Sequence, residues 1–300
     1  MSQPPIRPPI QPRISVVVAV QHAQANLPAI LAVLGPGMAA GRAEVLVCHA
    51  ADDAVDLAPQ TGLRVLTGAA GALIPELWRD GILAAGADIV ATLTAHCVPD
   101  ADWLDVACGL DMIGLAGIGG LIVNAPDSDA VGAAIHLLRY HAFATAKAPR
   151  EVREIAADNA LYLRAEILAC THLLPHGFWE PAFHARFRQK GLGLELRPAL
   201  VVSHANRYTP RQFMSQRRRH GCHFGQSRAL AAAPARRWLM LATSPAAFPV
   251  FAIKLTRAVW RGPGLRRGWL RAAPWLYLFM ANWSWGEMRG YAAAVAKAHR

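Results

Sequence analysis

The segment FWEPAFHARFRQKG, residues 178–191, carries a glutamate and a histidine four positions apart, Glu180 and His184. On a helix that spacing sets both side chains on one stripe. His184 is then either a neighbour that tunes Glu180 or an ordinary surface histidine. Glu180 is either a proton acceptor or an acid favoured by the positive end of the helix. Trp179 just before it offers an aromatic face for stacking or simply fills the core. Other polar groups stand where apolar runs stop: Val20-Gln21-His22, Cys48-His49 with Asp52 and Asp53 close behind, Thr94-Ala95-His96, and His204. Arg217, Arg218 and Arg219 form a run whose guanidinium groups could clamp a diphosphate bidentately, or lie as a solvated face.

Regular elements must position these groups. Residues 14–20, ISVVVAV, are continuously apolar and largely β-branched, the pattern of a strand buried on both faces. Leu27, Ile30, Leu31 and Leu34 then follow helical spacing. Residues 43–50 and 62–68 read as two further strands, residues 75–85 as a helix with proline at its start, and residues 89–93 as a fourth strand. That alternation predicts an α/β domain with a largely parallel sheet, and ligands in such sheets sit at the carboxyl ends of strands. Further on, the spacing predicts a strand and turn over 117–126, a helix over about 129–145, and a strand running into a helix over 157–168. A helix over 178–191 has Pro181 at its start and Gly191 as its stop. It is followed by a strand ending at His204 and a basic helix over 210–225 ended by Gly221.

Composition narrows the function classes. The chain has 300 residues, 54% of them apolar, enough for a full core. Its five cysteines show no CxxC and no zinc-type spacing, which indicates reduced thiols and a cytosolic side. The start, MSQPPIRPPIQPR, is proline-rich without an apolar core, the signature of a disordered leader over 1–12 rather than a signal peptide. The net charge of +11 is uneven: residues 231–300 hold eleven Lys or Arg, one acid (Glu287) and six of the nine tryptophans. No nucleic-acid motif accompanies that tail and its apolar content is high, so a nucleic-acid partner is not expected. The absence of glycine from AVQHAQANL after the first strand argues against a dinucleotide-binding dehydrogenase.

The order of pieces resembles the family 2 glycosyltransferases. The matching residues are Ile14 to Gln21, Asn26-Leu27-Pro28, GADIVATLTAHCVPDADWL (86–104), Asn159 to Arg164, Glu180 to Gly191, Pro198 to His204 and the basic stretch Gln216 to Arg219. The resemblance covers about residues 13–230. It implies a GT-A fold, nucleotide-diphospho-sugar transferase-like, with a mixed, mostly parallel sheet flanked by helices. It also implies a GT-A domain over 13–230, with a nucleotide-binding half (13–115) and an acceptor half (116–230). The activity implied is inverting transfer of a sugar from a nucleotide-diphosphate donor. Glu180 would be the catalytic base. Val20, Gln21, His49, Asp52, Thr94, His96, Arg217 and Arg219 would border the donor, and Trp179 and His184 the acceptor.

The departures from the family pattern bear on its chemistry. The family's Asp-x-Asp suits Mg2+ or Mn2+ because carboxylate oxygens are hard ligands. Here the same places hold Thr94 and His96, so the expectation is a metal held weakly through His96 and His204, or a site that works without one. His49 stands where the family places a nucleoside-binding acid, so uridine recognition is not carried over. Beyond residue 230 two apolar stretches, 239–253 and 272–285, are each shorter than the ~20 residues of a spanning helix. Flanked by arginine and rich in tryptophan, they suit a membrane-associating tail over 231–300, peripheral or re-entrant on the cytoplasmic face of the inner or plasma membrane. Helices that pack on the main domain or form a dimer are the alternative. The acceptor would be lipid-linked or an envelope polysaccharide. A non-catalytic GT-A-like protein that binds a sugar nucleotide or a partner is the rival reading.

Overall fold

Seven residues, Ile14–Val20, six of them apolar, form β1 with every side chain buried, as a strand covered on both faces requires. The computed structural model describes residues 14–262, 265, 266 and 268–297, so the leader expected over 1–12 lies outside the described residues. After β1 come α1 (Leu27–Ala39), β2 (Ala43–Ala50), β3 (Leu63–Gly68), α2 (Ile74–Ala84), β4 (Ile89–Thr94), β5 (Cys97–Pro99), α3 (Trp103–Gly109) and β6 (Leu115–Asn124). Then follow α4 (Ala130–Tyr140), β7 (Arg150–Glu151), β8 (Asn159–Leu163), α5 (Arg164–Leu168), α6 (Glu180–Gln189) and β9 (Gly193–His204). The chain continues with α7 (Pro210–Leu230), α8 (Pro234–Thr243), α9 (Ala247–Arg261) and α10 (Trp269–Lys297).

These elements divide into two units. The first comprises residues up to Val123 and Phe143–Ala205, the second Asn124–Ala142 and Asn206–Arg300. The first unit holds a sheet in the order β3-β2-β1-β4-β8-β6-β9-β5, with β7 on β9. Its pairing is parallel from β3 through β4 and antiparallel at β4–β8, β8–β6 and β9–β5. The fold is therefore mixed α/β, with the parallel part where the sequence placed its apolar runs. Trp78 and Ile82 of α2 and Phe183 and Phe187 of α6 pack with β-strand residues such as Val17, Leu46 and Tyr162 in one core. Gly191, at φ +78 just past α6, ends that helix in the left-handed conformation that suits glycine.

The second unit is helical. The sequence pattern places the domain limit at 230, whereas α7 belongs with the tail helices. The reason is backbone contact between α7 and α10. A Cβ on Gly221 would meet the Trp283 carbonyl at 2.3 Å, and one on Gly225 the Glu287 carbonyl at 2.3 Å. From the other side, Cβ atoms on Gly286 and Gly290 would each meet a carbonyl of α7, of Arg218 and Cys222, at 2.2 Å. Gly221 therefore does not stop the basic helix. It lets two helices touch, and α7 runs on to Leu230 from a capping box of Thr209 and Gln212. Leu255 and Val259 of α9 and Leu276 and Phe279 of α10 share a second core with Phe213 and Ile135. The apolar stretch 239–253 also lies in something longer than its own limits suggest. Pro234–Arg261 is long and apolar enough by length and composition to cross a membrane, with a mean hydropathy of 1.4 and only 11% of its best window buried.

Candidate functional site

Parallel pairing of β1 with β2 and β4 brings three strand ends together, Val20 beside His49 and Ala19 beside Thr94. Beyond those ends the polar groups are largely bonded to one another. The His22 amide donates to Asp53 Oδ2 at 2.7 Å, and Gln24 Nε2 donates to Asp53 Oδ1. His22 takes a left-handed φ of 57°, rare for a residue with a side chain, and Asp53 is what holds it there. Asp52 Oδ1 accepts from the Gly71 amide at 2.6 Å. The two acids after β2 thus shape the loops around the strand ends.

His49 is buried and engages protein with both ring nitrogens. Nδ1 lies 2.9 Å from the Ala50 carbonyl and Nε2 3.1 Å from Thr67 Oγ1 on β3. The carbonyl can only accept, so Nδ1 carries the proton and Thr67 donates to Nε2. Both ring nitrogens are thus bonded at the end of the sheet.

At the end of β4 the position of the missing aspartates is also internally bonded. Thr94 Oγ1 donates to Asp158 Oδ1 at 3.0 Å, and both groups are buried, Asp158 to 3% exposure. His96, 1% exposed, donates from Nε2 to the Gln21 carbonyl at 2.9 Å. β5 pairs with β9 so that Cys97 faces His204, which brings the His96 and His204 rings to 6.3 Å between centroids. Asn26 stitches the corner, its Nδ2 donating to the Ala95 and Ala205 carbonyls at 2.9 Å each. The two histidines expected as metal ligands are neighbours, but one ring nitrogen is committed to a carbonyl. Among the described residues no three His, Cys, Asp or Glu side chains are grouped to hold a metal ion. Two imidazoles without a carboxylate do not suit Mg2+ or Mn2+, so the residues present do not fit that cofactor.

Asp158 is the residue that sequence reasoning missed. It precedes Asn159 of the matched motif, and nothing in its spacing marks it. Asn159 proves structural: its amide donates to the Leu121 and Leu200 carbonyls at 2.9 and 3.0 Å and accepts from Trp103 Nε1 at 2.9 Å. A Cβ at Gly120 would strike Leu200 O at 2.0 Å, so glycine is needed where this amide bridges strands.

Glu180 is half-buried at the first position of α6, and its Oε1 lies 3.4 Å from the Ala157 amide. Phe183 and Phe187 on the same helix are fully buried, so the helix is fixed. Trp179 is half-buried and donates to the His176 carbonyl at 2.7 Å. His184 departs from expectation. It is fully buried, between Tyr162 Oη at 3.1 Å and Glu154 Oε2 at 2.6 Å, so it is not a surface histidine. Tyr162 is held well above the usual phenol range, first by burial and then by the charges of Glu180, Glu154 and Asp158.

Arg217 and Arg219 lie on α7 in the second unit. Arg217 is buried, stacked over the Phe213 ring at 4.8 Å and the Trp283 ring at 5.2 Å, with Nε and Nη2 donating to Gln216 Oε1 at 3.0 and 2.7 Å. Arg219 is exposed. His220, next to Arg219, is pushed well below the usual imidazole range, first by burial and then by Arg217, Arg139, Arg219 and His223.

No family model and no curated protein matches the chain. Among solved structures it is similar to a mannosyltransferase from Pyrobaculum calidifontis in complex with GDP-Man and Mn2+, at 16% identity over 96% of this chain and 86% of that one, with a TM-score of 0.49. A mycobacterial protein is similar at 13% identity over 69% of this chain and 72% of that one, with a TM-score of 0.45.

Proposed function

We propose that the chain is an inverting glycosyltransferase that moves a sugar from a nucleotide-diphosphate donor to a lipid-linked or envelope-polysaccharide acceptor. The observation that carries this reading is Glu180, half-buried at the start of a helix whose Phe183 and Phe187 are locked in the core. It stands in a chain whose motifs follow the family order over residues 13–230. In the reaction the Glu180 carboxylate takes the acceptor hydroxyl's proton as that oxygen bonds to the anomeric carbon. The bond from that carbon to the donor phosphate oxygen breaks, and its electron pair leaves with the nucleoside diphosphate. Val20, Gln21 and Asp52 border the donor in this reading. Trp179 offers its ring to the acceptor. Residues 231–300 hold the protein on the cytoplasmic face of the membrane.

The test is a thermal-shift screen of nucleotide-diphosphate sugars, with and without Mn2+, followed by turnover with the donor that binds. Glu180→Gln should lower kcat by about 10²–10⁴-fold while leaving the donor-induced shift in place. Retention of most turnover would make Glu180 a helix-end acid only. The Thr94–Asp158 bond at the place of the missing aspartates favours a second reading, a non-catalytic GT-A-like protein that binds a sugar nucleotide or a partner. That reading expects a donor-induced shift and no turnover in either protein.

A further inference from the structure

The α8–α9 segment has two unlike sides. One side is docked: Leu255 and Val259 share a core with Leu276 and Phe279 of α10, and Met240 and Leu241 pack on Tyr291 and Ala294 of the same helix. Away from that contact the segment exposes Trp238, Leu239, Val250, Phe251, Ile253 and Trp260 at 46–62%, interleaved with exposed Arg236, Lys254, Arg257 and Arg261. Exposed tryptophan and aliphatic side chains mixed with basic ones mark an interaction surface of amphipathic character. Its position on the helices indicates how a membrane would meet it. The segment lies along α10, and α10 touches α7 backbone to backbone through four glycines. α7 carries Arg211, Arg217, Arg218, Arg219 and Arg228. A segment crossing the bilayer would draw those charges toward hydrocarbon, where a charged side chain is costly. Lying in the interface plane avoids that cost, and Trp238 and Trp260 near its two ends suit the headgroup level.

Beside those residues runs an open, shallow groove of about 550 Å³. Phe248, Pro249, Ala252 and Ile253 line it. Thr256 and Tyr277 also line it, but their hydroxyls are bonded to each other at 2.8 Å. Arg257 is the one charged residue of this lining and is exposed. An apolar trough with one guanidinium is complementary to a hydrocarbon chain carrying a phosphate. The surrounding charge favours the same ligand, since residues 231–300 hold eleven Lys or Arg against Glu287 alone.

We propose that α8–α9 lies flat in the interface of an anionic bilayer, with one acyl chain of a phospholipid in the α9–α10 groove and its phosphate on Arg257. The proposal refines the membrane part of the function above and is independent of the transfer chemistry.

The test uses the full chain with vesicles of phosphatidylglycerol in phosphatidylcholine, against vesicles of phosphatidylcholine alone. Flotation should show partition that depends on phosphatidylglycerol. Arg257→Ala should weaken it about five-fold, the weight of one basic side chain at an anionic surface. Ala252→Trp, which fills the groove and leaves every charge in place, should weaken it by a similar factor. Ile253→Asp, at an exposed position that does not threaten folding, should weaken it further. Tryptophan fluorescence should be quenched by lipids brominated near the headgroup more than by lipids brominated near the chain end. Equal partition onto both vesicle types, an Ala252→Trp protein that floats like wild type, or stronger quenching from the chain end would each overturn the proposal. So would a concentration-dependent dimer that hides that surface and leaves no vesicle binding. The donor-induced thermal shift should persist in all three variants, so loss of lipid binding is separable from failure of the glycosyltransferase reading.

Discussion

The two units bury their interiors with different materials. The first folds a sheet whose ends carry buried polar groups bonded to neighbours: Ser15 donates to Glu44 at 2.6 Å, Thr94 to Asp158, His96 to the Gln21 carbonyl. The second brings helix backbones together through glycines and stacks an arginine between aromatic rings. Strand ends concentrate backbone and side-chain polar atoms, so their stability depends on hydrogen-bond geometry. Helices satisfy their own backbones, so their association depends on how closely surfaces approach. One unit should therefore be sensitive to lost donors and the other to added atoms.

The largest expected effect is in the core of the first unit. Phe183→Ala removes a fully buried ring that anchors α6, and should cost about 3–5 kcal/mol in urea unfolding. A loss below about 1 kcal/mol, the usual scale of a point substitution, would show that α6 is not held by that core. Next, Thr94→Val keeps the shape but removes the hydroxyl donor to the Asp158 carboxylate, a bond to a charged group worth about 1.5–3 kcal/mol. Thr94→Ser should recover most of it, which separates the hydrogen bond from packing. In the second unit Gly225→Val forces a side chain against the Glu287 carbonyl of α10, and overpacking of this kind costs about 1–3 kcal/mol. Gly191→Val, where no atom lies near the site of a Cβ, meets backbone strain and no collision, so it should leave the α7–α10 contact untouched.

The smallest effects divide the units by pH. His220 is depressed in the folded state, so the unfolded chain binds more protons below about pH 6.5 and stability should fall on acidification. The slope is at most about 1.4 kcal/mol per pH unit, and His220→Asn should flatten it. In the first unit Tyr162 is raised, and Cys48 is pushed up to about 12 by burial and then by Asp80. Their folded forms keep protons that the unfolded chain loses above about pH 9–10, so stability should decline as the pH rises past that range. Tyr162→Phe should remove part of the alkaline slope and leave the acid slope alone. If both variants changed both slopes equally, the assignment to separate groups would fail.

Much of the first unit is legible in the amino-acid order. Short, largely β-branched runs such as Ile14–Val20 and Ile89–Thr94 favour a buried strand, because a half-exposed one would alternate and a helix would run longer. Gly191 and Pro181 mark the limits of α6 because left-handed and fixed φ angles act locally. Gly221 misleads for an instructive reason. A helix-stopping glycine and a helix-contact glycine look alike in sequence, and only the opposing backbone of Trp283 tells them apart. His184 misleads in the same way, since a histidine four residues from a glutamate reads as surface chemistry until Tyr162 and Glu154 are found on its two nitrogens.

What the sequence alone determined is what depends on near neighbours: the strands, the helix starts, the basic and tryptophan-rich character of residues 231–300, and the position of Glu180 at the head of its helix. What only the tertiary structure decided is which partners the polar groups meet. His49 meets one 18 residues away, Asp53 one 31 away, and Thr94 one 64 away. A side chain's hydrogen-bonding capacity is filled by whatever the fold brings within about 3 Å, and separation along the chain carries no trace of that distance.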